Sequence, residues 1–322
     1  MTESDAKTEG TTPGPSVLVV GTGAIGAFYG GKLAQAGAAV SVMCRSDYDV
    51  VRAHGITVES TLGDFHLKPV AVVRHAREVP EPPQIILVAT KVIPEMVDVS
   101  ALIAEAVGPE TAILLIQNGI AIEDPVVGAF PSNEIISGLA FICVTRTAFG
   151  RVVHQDFGRL TVGCYPEGTS SRTQALARLF SSVGVPCEES ANIVTDRWRK
   201  LVWNAAFNPI SVLGGGLNTR EILESAGALK LVRRIMAEVC LLAEADGHPL
   251  PSGTVEANIE GTRAMKPYKT SMLLDFEARR PMEVEAILGN AMRAARRLGV
   301  PVEHLEVLYV LLRLADVKNR LG

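Results

Sequence analysis

The stretch from Ser16 to Met43 limits what this chain can fold into more than any other. Ser16–Val20 is a short apolar, β-branched run, the pattern of a strand buried on both faces. Gly21, Thr22, Gly23, Ala24, Ile25 and Gly26 follow at once, residues 27–36 read as helix up to Gly37, and Ala39–Met43 reads as a second strand. A lone G-x-G-x-x-G is a weak signal, because glycine-rich loops are common. Between a strand and a helix it is the turn that brings backbone N–H groups against a pyrophosphate at a helix N-terminus. The expectation is a Rossmann-type α/β unit holding a dinucleotide on residues 21–26.

The end of the second strand selects the dinucleotide. NAD sites place Asp or Glu there for the ribose 2′-hydroxyl, whereas this chain has Cys44-Arg45-Ser46. Arg45 suits a bidentate contact with a 2′-phosphate, the alternative being a solvated surface arginine. NADP(H) is the cofactor this pattern implies. Two further residues fall at carboxyl ends of strands, the edge where open α/β sheets bind ligands. Lys91 follows the buried run 85–90 and is either a cofactor or substrate contact or a plain loop lysine. Asn118 follows the strand 112–116 and either bonds a nicotinamide ribose or substrate oxygen or shapes the turn beside Gly119.

Around these, residues 54–73 alternate like a hairpin about Gly63-Asp64, 94–107 read as helix, 134–144 and 150–163 as strands, and 171–183 as helix. The pattern then turns from strand-rich to helix-rich at 188–193. Three segments result: a polar, disordered tail at 1–15, an NADP-binding domain at 16–190, and a helical domain at 191–322. A length of 322 residues suits two cores, and a net charge of −4 without a long basic run excludes nucleic acid and anionic membranes as main partners. The five scattered cysteines form no metal-ligand spacing, and the dispersed histidines suggest no metal site. No signal peptide or membrane span is read, so a cytoplasmic protein is expected. Its oligomeric state stays open, with a homodimer among the options.

In the helical part the segment 196–209 spaces Lys200, Asn204 and Asn208 at i, i+4 and i+8, one stripe on a helix that is otherwise largely apolar. The stripe is either a wet surface face or the wall of a site. Further on, Gly214-Gly-Gly216 precedes Asn218-Thr219, where Thr219 reads as the start of a helix running to about 246. A last pair reads as helix 281–298 and helix 302–319. Ser271 is a helix N-cap or a ligand contact. Glu283, two residues after Pro281, either favours the dipole in a first helical turn or belongs to the site.

Taken together, these motifs resemble the ketopantoate reductases (2-dehydropantoate 2-reductases). They are Gly21-Thr-Gly-Ala-Ile-Gly26, Ala89-Thr-Lys91, Gln117-Asn118-Gly119, Arg197-Trp-x-Lys-Leu-x-x-Asn-x-x-x-Asn-Pro209, and Ser271-Met with a Glu twelve residues on. The resemblance implies a Rossmann domain followed by an all-α domain like that of 6-phosphogluconate dehydrogenases, with the site between them. It implies that Lys200 is the general acid, Glu283 orients substrate and lysine, and Ser271 holds the substrate carboxylate. Asn118, Asn204, Asn208 and Asn218 would complete a polar wall, with Lys91 near the cofactor. The family often has Gly where this chain has Thr219, which weakens the Asn218 assignment. The expected reaction is NADPH-dependent reduction of 2-dehydropantoate to (R)-pantoate, in pantothenate and coenzyme A biosynthesis. The alternatives are reduction of another 2-oxoacid, or an NADP(H)-binding sensor without catalysis.

Overall fold

Apolar runs of four or five residues, too short for helices and flanked by turns, assemble into a mixed sheet that carries the site on one edge. Its strands are β1 (Ser16–Val20), β2 (Ala39–Met43), β3 (Ile56–Ser60), β4 (Phe65–Leu67), β5 (Val72–Val73), β6 (Ile85–Val88), β7 (Ala112–Leu115), β8 (Ile135–Ala148), β9 (Arg151–Cys164) and β10 (Cys187–Glu189). The spatial order is β4-β3-β9-β8-β7-β6-β1-β2-β5, with β10 beside β9. The computed structural model describes residues 14–321. Of the expected tail, 1–13 lie outside the described residues.

The middle of the sheet is parallel: β1 pairs with β2 and β6, β6 with β7, and β7 with β8. Parallel pairing sets the carboxyl ends of these strands on one edge, so the segments after residues 20, 43, 88 and 115 face the same side. The strands β1, β6 and β7 are buried along nearly their whole length, as central strands covered on both faces must be. Past Ile136, β8 forms a long antiparallel hairpin with β9, and its register shifts between Phe141 and Ile142. The expected hairpin around Gly63-Asp64 is the antiparallel pair β3–β4.

Twelve helices are found among the described residues. Five accompany the sheet: α1 (Ala24–Gln35), α2 (Tyr48–His54), α3 (Val99–Ile103), α4 (Asp124–Ala129) and α5 (Ser171–Ser182). Seven follow: α6 (Ile193–Leu213), α7 (Thr219–Glu224), α8 (Ala226–Ala245), α9 (Thr254–Ala264), α10 (Ser271–Glu277), α11 (Asn290–Leu298) and α12 (Glu303–Leu321). Among the described residues after Glu189 there is no strand.

Three helix expectations are corrected by caps and prolines. The helix expected over 94–107 starts only at α3, where the Asp98 carboxylate accepts the Ala101 N–H, and ends in a short 3-10 turn. The long helix expected over 219–246 breaks at Ser225, whose hydroxyl caps α8 through the Ala228 N–H. The helix expected from Pro281 begins at Val284, opens with a π-helical turn over Glu285–Gly289, and only then becomes α11.

The helical core forms around α6. Trp198, Leu201, Val202, Ala205, Ala206 and Phe207 are all at most 1% exposed and pack among α8, α10 and α12. Fully burying such Leu, Val and Phe side chains contributes about 1.5–3 kcal/mol each. The polar stripe of α6 is thereby carried into the interior and held at a fixed height against the sheet edge.

Candidate active site

Lys200 projects from the second turn of α6 toward the sheet. Its ammonium donates to the Asn118 Oδ1 at 3.0 Å and to the Ala140 carbonyl at 2.7 Å, and lies 5.3 Å from the Phe141 ring centre. Ala140 sits in β8 opposite Leu160, just before the point where β9 carries the extra, unpaired residue Gly158. The same Asn118 donates through Nδ2 to Glu283 Oε2 at 3.3 Å, and Glu283 Oε1 accepts the Val92 N–H at 3.0 Å. One carboxamide therefore bridges the ammonium and the carboxylate, its acceptor end toward the cation and its donor end toward the anion. The two charges fix which way the amide points.

What allows this bridge is Gly119. Its φ is +105°, and a Cβ there would come within 2.4 Å of the Ala286 carbonyl oxygen in the π-helical turn. Only a residue without a side chain lets the end of β7 press so closely on the segment after Glu283. Glu283 itself lies before the helix, not within its first turn as expected from Pro281. Its carboxylate reaches across to Val92 and Asn118.

Electrostatics pull the two ionisable groups toward neutrality. Burial of the amine and, after it, the Arg197 guanidinium one turn away pull the Lys200 pKa down to about 7 against the opposing pull of Glu283. Burial raises the Glu283 pKa, against the Val92 N–H, the Asn118 amide and Lys91, while Asp275 adds to the rise. An amine poised near neutral pH suits a group that must hold a proton and then release it.

The remaining expected residues are placed as follows. Asn204 and Asn208 are 8% and 2% exposed, so the stripe of α6 is not a wet surface face. Asn208 Oδ1 is buried without a hydrogen-bond partner, an arrangement that costs about 1–3 kcal/mol. Asn218 is the N-cap of α7: its Oδ1 accepts from Arg220 and Glu221, and Glu221 answers in a capping box. Ser271 is exposed in the first turn of α10, and the cap there is Thr270, whose hydroxyl accepts the Leu273 N–H. Lys91 pairs with Asp275 at 2.5 Å and donates to the Pro281 carbonyl, tying the end of β6 to α10 and to the segment carrying Glu283.

The glycine-rich turn fits a dinucleotide. A Cβ on Gly26 would stand 2.0 Å from the Gly21 carbonyl oxygen, whereas one on Gly23 would meet nothing within 4 Å. The turn is thus closed toward the protein and open outward. The helix α1 begins at Ala24 with neither a side-chain cap nor an acidic residue in its first turn. Backbone donors and the positive end of the helix dipole are left for an anion such as a pyrophosphate. Thr22 is turned away from that opening, its hydroxyl donating to the buried Asp47 at 2.8 Å.

Arg45 is exposed just past β2. Sequence reading missed its neighbour Arg74, brought there by the pairing of Met43 with Val73 in β5. Arg74 Nη1 donates to the Arg45 carbonyl at 3.4 Å, and its guanidinium stacks 4.0 Å from the Tyr48 ring centre. The Arg74 guanidinium also donates to Asp49 at 3.2 Å, so a paired guanidinium lies beside the exposed Arg45 at the edge where an adenosine ribose would lie. The carboxylate nearest in sequence, Asp47, is buried and faces Thr22 and Arg146 instead.

The reading also passed over Arg197 as anything more than a motif letter. It is buried, with Nε donating to Ser137 Oγ at 2.7 Å and Nη1 to the Gln117 and Gly119 carbonyls at 2.9 and 3.0 Å. Nε also contacts the fully buried carboxylate of Glu123. The two carbonyls flank Asn118, so Arg197 grips the turn that carries the bridging amide.

Comparison with known proteins gives matches along nearly the whole chain. The family model described as ketopantoate reductase PanE/ApbA matches residues 17–167, and the one described as ketopantoate reductase PanE/ApbA C terminal matches 192–316. A 2-dehydropantoate 2-reductase of Nostoc sp. is 34% identical, the alignment covering 94% of this chain and 96% of that protein. The crystal structure of 2-dehydropantoate 2-reductase from Methylococcus capsulatus aligns with a TM-score of 0.89 at 52% identity, covering 94% of this chain and 97% of that one. The corresponding structure from Geobacter metallireducens aligns with a TM-score of 0.86 at 34% identity, covering 93% and 99%. Among the described residues no cluster of His, Cys, Asp and Glu could hold a metal ion, and no helix is long and apolar enough to cross a membrane.

Proposed function

The chain belongs to the ketopantoate reductase family, and on that premise we propose that it reduces 2-dehydropantoate to (R)-pantoate with NADPH, Lys200 being the general acid. The observation that carries this reading is the Lys200–Asn118–Glu283 bridge at the carboxyl edge of the sheet. Residues 21–26 would hold the pyrophosphate, with Arg45 and Arg74 beside the 2′-phosphate. A bound reduced nicotinamide supplies the hydride.

The residues of the chain supply the proton and the geometry. As the keto carbon becomes tetrahedral, negative charge grows on its oxygen, and the Lys200 ammonium stabilises that charge and then transfers its proton. Asn118 keeps the amine aimed while leaving one ammonium hydrogen for the substrate, since two are spent on Asn118 and Ala140. Glu283 acts through Asn118 and favours the charged amine. Ser271 and Asn204 hold the substrate carboxylate and hydroxyl in this reading. Asn208 offers its unpaired Oδ1 once its side chain turns outward, and the free amide hydrogens of the Asn218 cap complete the wall. Sealing and orienting the two reactants provides much of the remaining rate.

Steady-state turnover of a panel of 2-oxoacids with NADPH and with NADH tests the reading. Robust turnover of another acid without turnover of ketopantoate rejects the substrate. Cofactor binding with no oxidation of NADPH by any ketoacid leaves a sensor. The choice of NADPH has its own check. Arg45→Asp is expected to raise the KM for NADPH about tenfold or more, the scale of a hydrogen bond to a charged group, while leaving that for NADH nearly unchanged. Arg74→Ala should move the same ratio in the same direction. An unchanged ratio in both variants refutes the assignment of this edge to a 2′-phosphate.

A further inference from the structure

A second stripe runs up α6 beside the polar one. Trp203 stands three positions after Lys200 and Phe207 three after Asn204, each about 60° to one side of its predecessor. Their rings stack at 4.8 Å, and Tyr268 extends the row with its ring centre 6.0 Å from that of Trp203 and its plane 3° away. Tyr268 belongs to the segment between α9 and α10, three residues before Ser271. Phe207 is fully buried, whereas Trp203 and Tyr268 keep part of their surface open. The Trp203 Nε1 is spent on Thr262 Oγ1 at 2.9 Å, so what the indole has left to present is apolar.

This row faces the long hairpin. Along β8 the side chains of Ala140, Ile142 and Val144 pack on the sheet core, so Phe141 and Cys143 point to the other face. That is the face Lys200 approaches, its ammonium 5.3 Å from the Phe141 ring centre. The Cys143 thiol lies near the Tyr268 phenol, whose pKa is raised first by burial and then by that thiol. Phe141 and Cys143 thus stand across from the aromatic row, with the ammonium at one end of the gap. Tyr268 is held in place by Thr219, buried at the start of α7. The Thr219 N–H donates to the Tyr268 carbonyl at 3.1 Å, and Thr219 Oγ1 accepts the Tyr268 N–H at 3.3 Å.

On the reading that Lys200 reduces a 2-oxoacid, we propose that the Trp203–Tyr268 stack, with Phe141 and Cys143 opposite, selects the substrate's carbon chain. It favours an acid with methyl branches on carbon 3 over an unbranched one, and Thr219 positions Tyr268 for that task. In that reading the polar groups of the acid are already provided for. Lys200 takes the keto oxygen, and the amide stripe with Ser271 takes the carboxylate and hydroxyl, so only the hydrocarbon is left for the rings. Aromatic faces offer it a large, stiff apolar surface. A branched carbon 3 covers that surface, whereas a straight chain leaves part of it in water. One methyl-sized group in a hydrophobic pocket changes kcat/KM by about 10–200-fold.

Two acids that differ only by a pair of methyl groups test this, 3,3-dimethyl-2-oxobutanoate and 2-oxobutanoate, each assayed with NADPH. The wild type should favour the dimethyl acid by about tenfold or more in kcat/KM. Tyr268→Ala and Trp203→Ala should each remove most of that ratio, chiefly by raising KM for the dimethyl acid, while Tyr268→Phe keeps it because the ring stays. Thr219→Val should lower the ratio as well, and Thr219→Ser should retain it. A smaller folded fraction scales both acids alike, so it cannot imitate a change in ratio. Binding is read without turnover from tryptophan emission. Trp198, the other of the two tryptophans, is buried and bonded to Asp246, so the change on adding the dimethyl acid to the NADP+ complex should be absent in Trp203→Phe. The same titrations give both Kd values, and hence the ratio, if no acid is turned over. Ketopantoate runs alongside as the check on the reaction itself: its failure beside turnover of the dimethyl acid rejects that substrate and leaves the wall standing. A wild-type ratio near one, a ratio unmoved in both alanine variants, or an emission change that survives Trp203→Phe overturns the inference.

Discussion

Replacing Lys200 with methionine is expected to lower kcat by about 10²–10⁴-fold, the usual scale of a positioned acid, while NADPH binding stays close to wild type. The site explains the split. Lys200 is bonded to Asn118 and Ala140 and not to the glycine-rich turn, so its loss removes a proton donor without touching residues 21–26. Stopped-flow binding of NADPH with steady-state turnover of ketopantoate measures both. A variant that keeps kcat sinks the acid assignment.

The pH dependence follows from the same group. With its pKa pulled down to about 7, Lys200 is the proton donor below that value and a neutral amine above it. Turnover in the reducing direction should therefore fall as pH rises through about 7, and the reverse oxidation should rise over the same limb and then level off. Stability runs the other way. The unfolded amine titrates near its ordinary value of 10.5, so between about 7 and that value the unfolded chain holds the extra proton. The cost of the buried ammonium is fully present below about 7 and disappears as pH rises above 10.5. Thermal melts should then show Lys200→Met gaining most over wild type at acidic pH and least at alkaline pH. A constant difference would mean that the amine is not buried as described.

Sequence alone went a long way here, for reasons that differ between residues. The strand, glycine turn and helix at 16–35 are specified locally, since each apolar run and each tight glycine is a neighbour of the next. The stripe of Lys200, Asn204 and Asn208 was visible because helical periodicity is a local property. Its burial was not, because that depends on α8, α10 and α12 closing around α6. The bridge from Asn118 to Glu283 joins residues 165 positions apart, and no spacing announces it. Some misses did have a signal. The helix begins at Thr219 as expected, but Asn218 and Glu221 stand at capping-box spacing, a signal that Asn218 is its cap. Ser225 and Asp98 are ordinary cap residues inside stretches that periodicity alone ran together as helix. Arg197 gave none, because its partners are carbonyls and a glutamate on the far side of the chain fold.

That arginine should produce the largest stability change among the substitutions considered. Arg197→Met leaves the Glu123 carboxylate fully buried with neither a cation nor a hydrogen-bond donor. It also strips the donor from the carbonyls of Gln117 and Gly119. Removing one member of a buried pair costs about 3–5 kcal/mol, whereas replacing both by apolar groups of similar volume is often close to neutral. The double variant Arg197→Met with Glu123→Met should therefore recover much of the loss seen in the single one, read as the midpoint of urea unfolding. Activity need not recover with it. The Gln117 and Gly119 carbonyls hold the Asn118 turn under Lys200, and a relaxed turn lets the amide drift from its two charges. Burial comes first in setting the proton affinity of Lys200, and the charges that act on it are Arg197 on its own helix and Glu283 across the Asn118 bridge. Deleting the Arg197 cation should move the alkaline limb of kcat above pH 7, in the double variant as well as the single. Recovered stability with a displaced limb would identify Arg197 as a residue that sets the proton affinity of the acid. Recovered stability with an unmoved limb would reduce it to a structural tie between the sheet and α6.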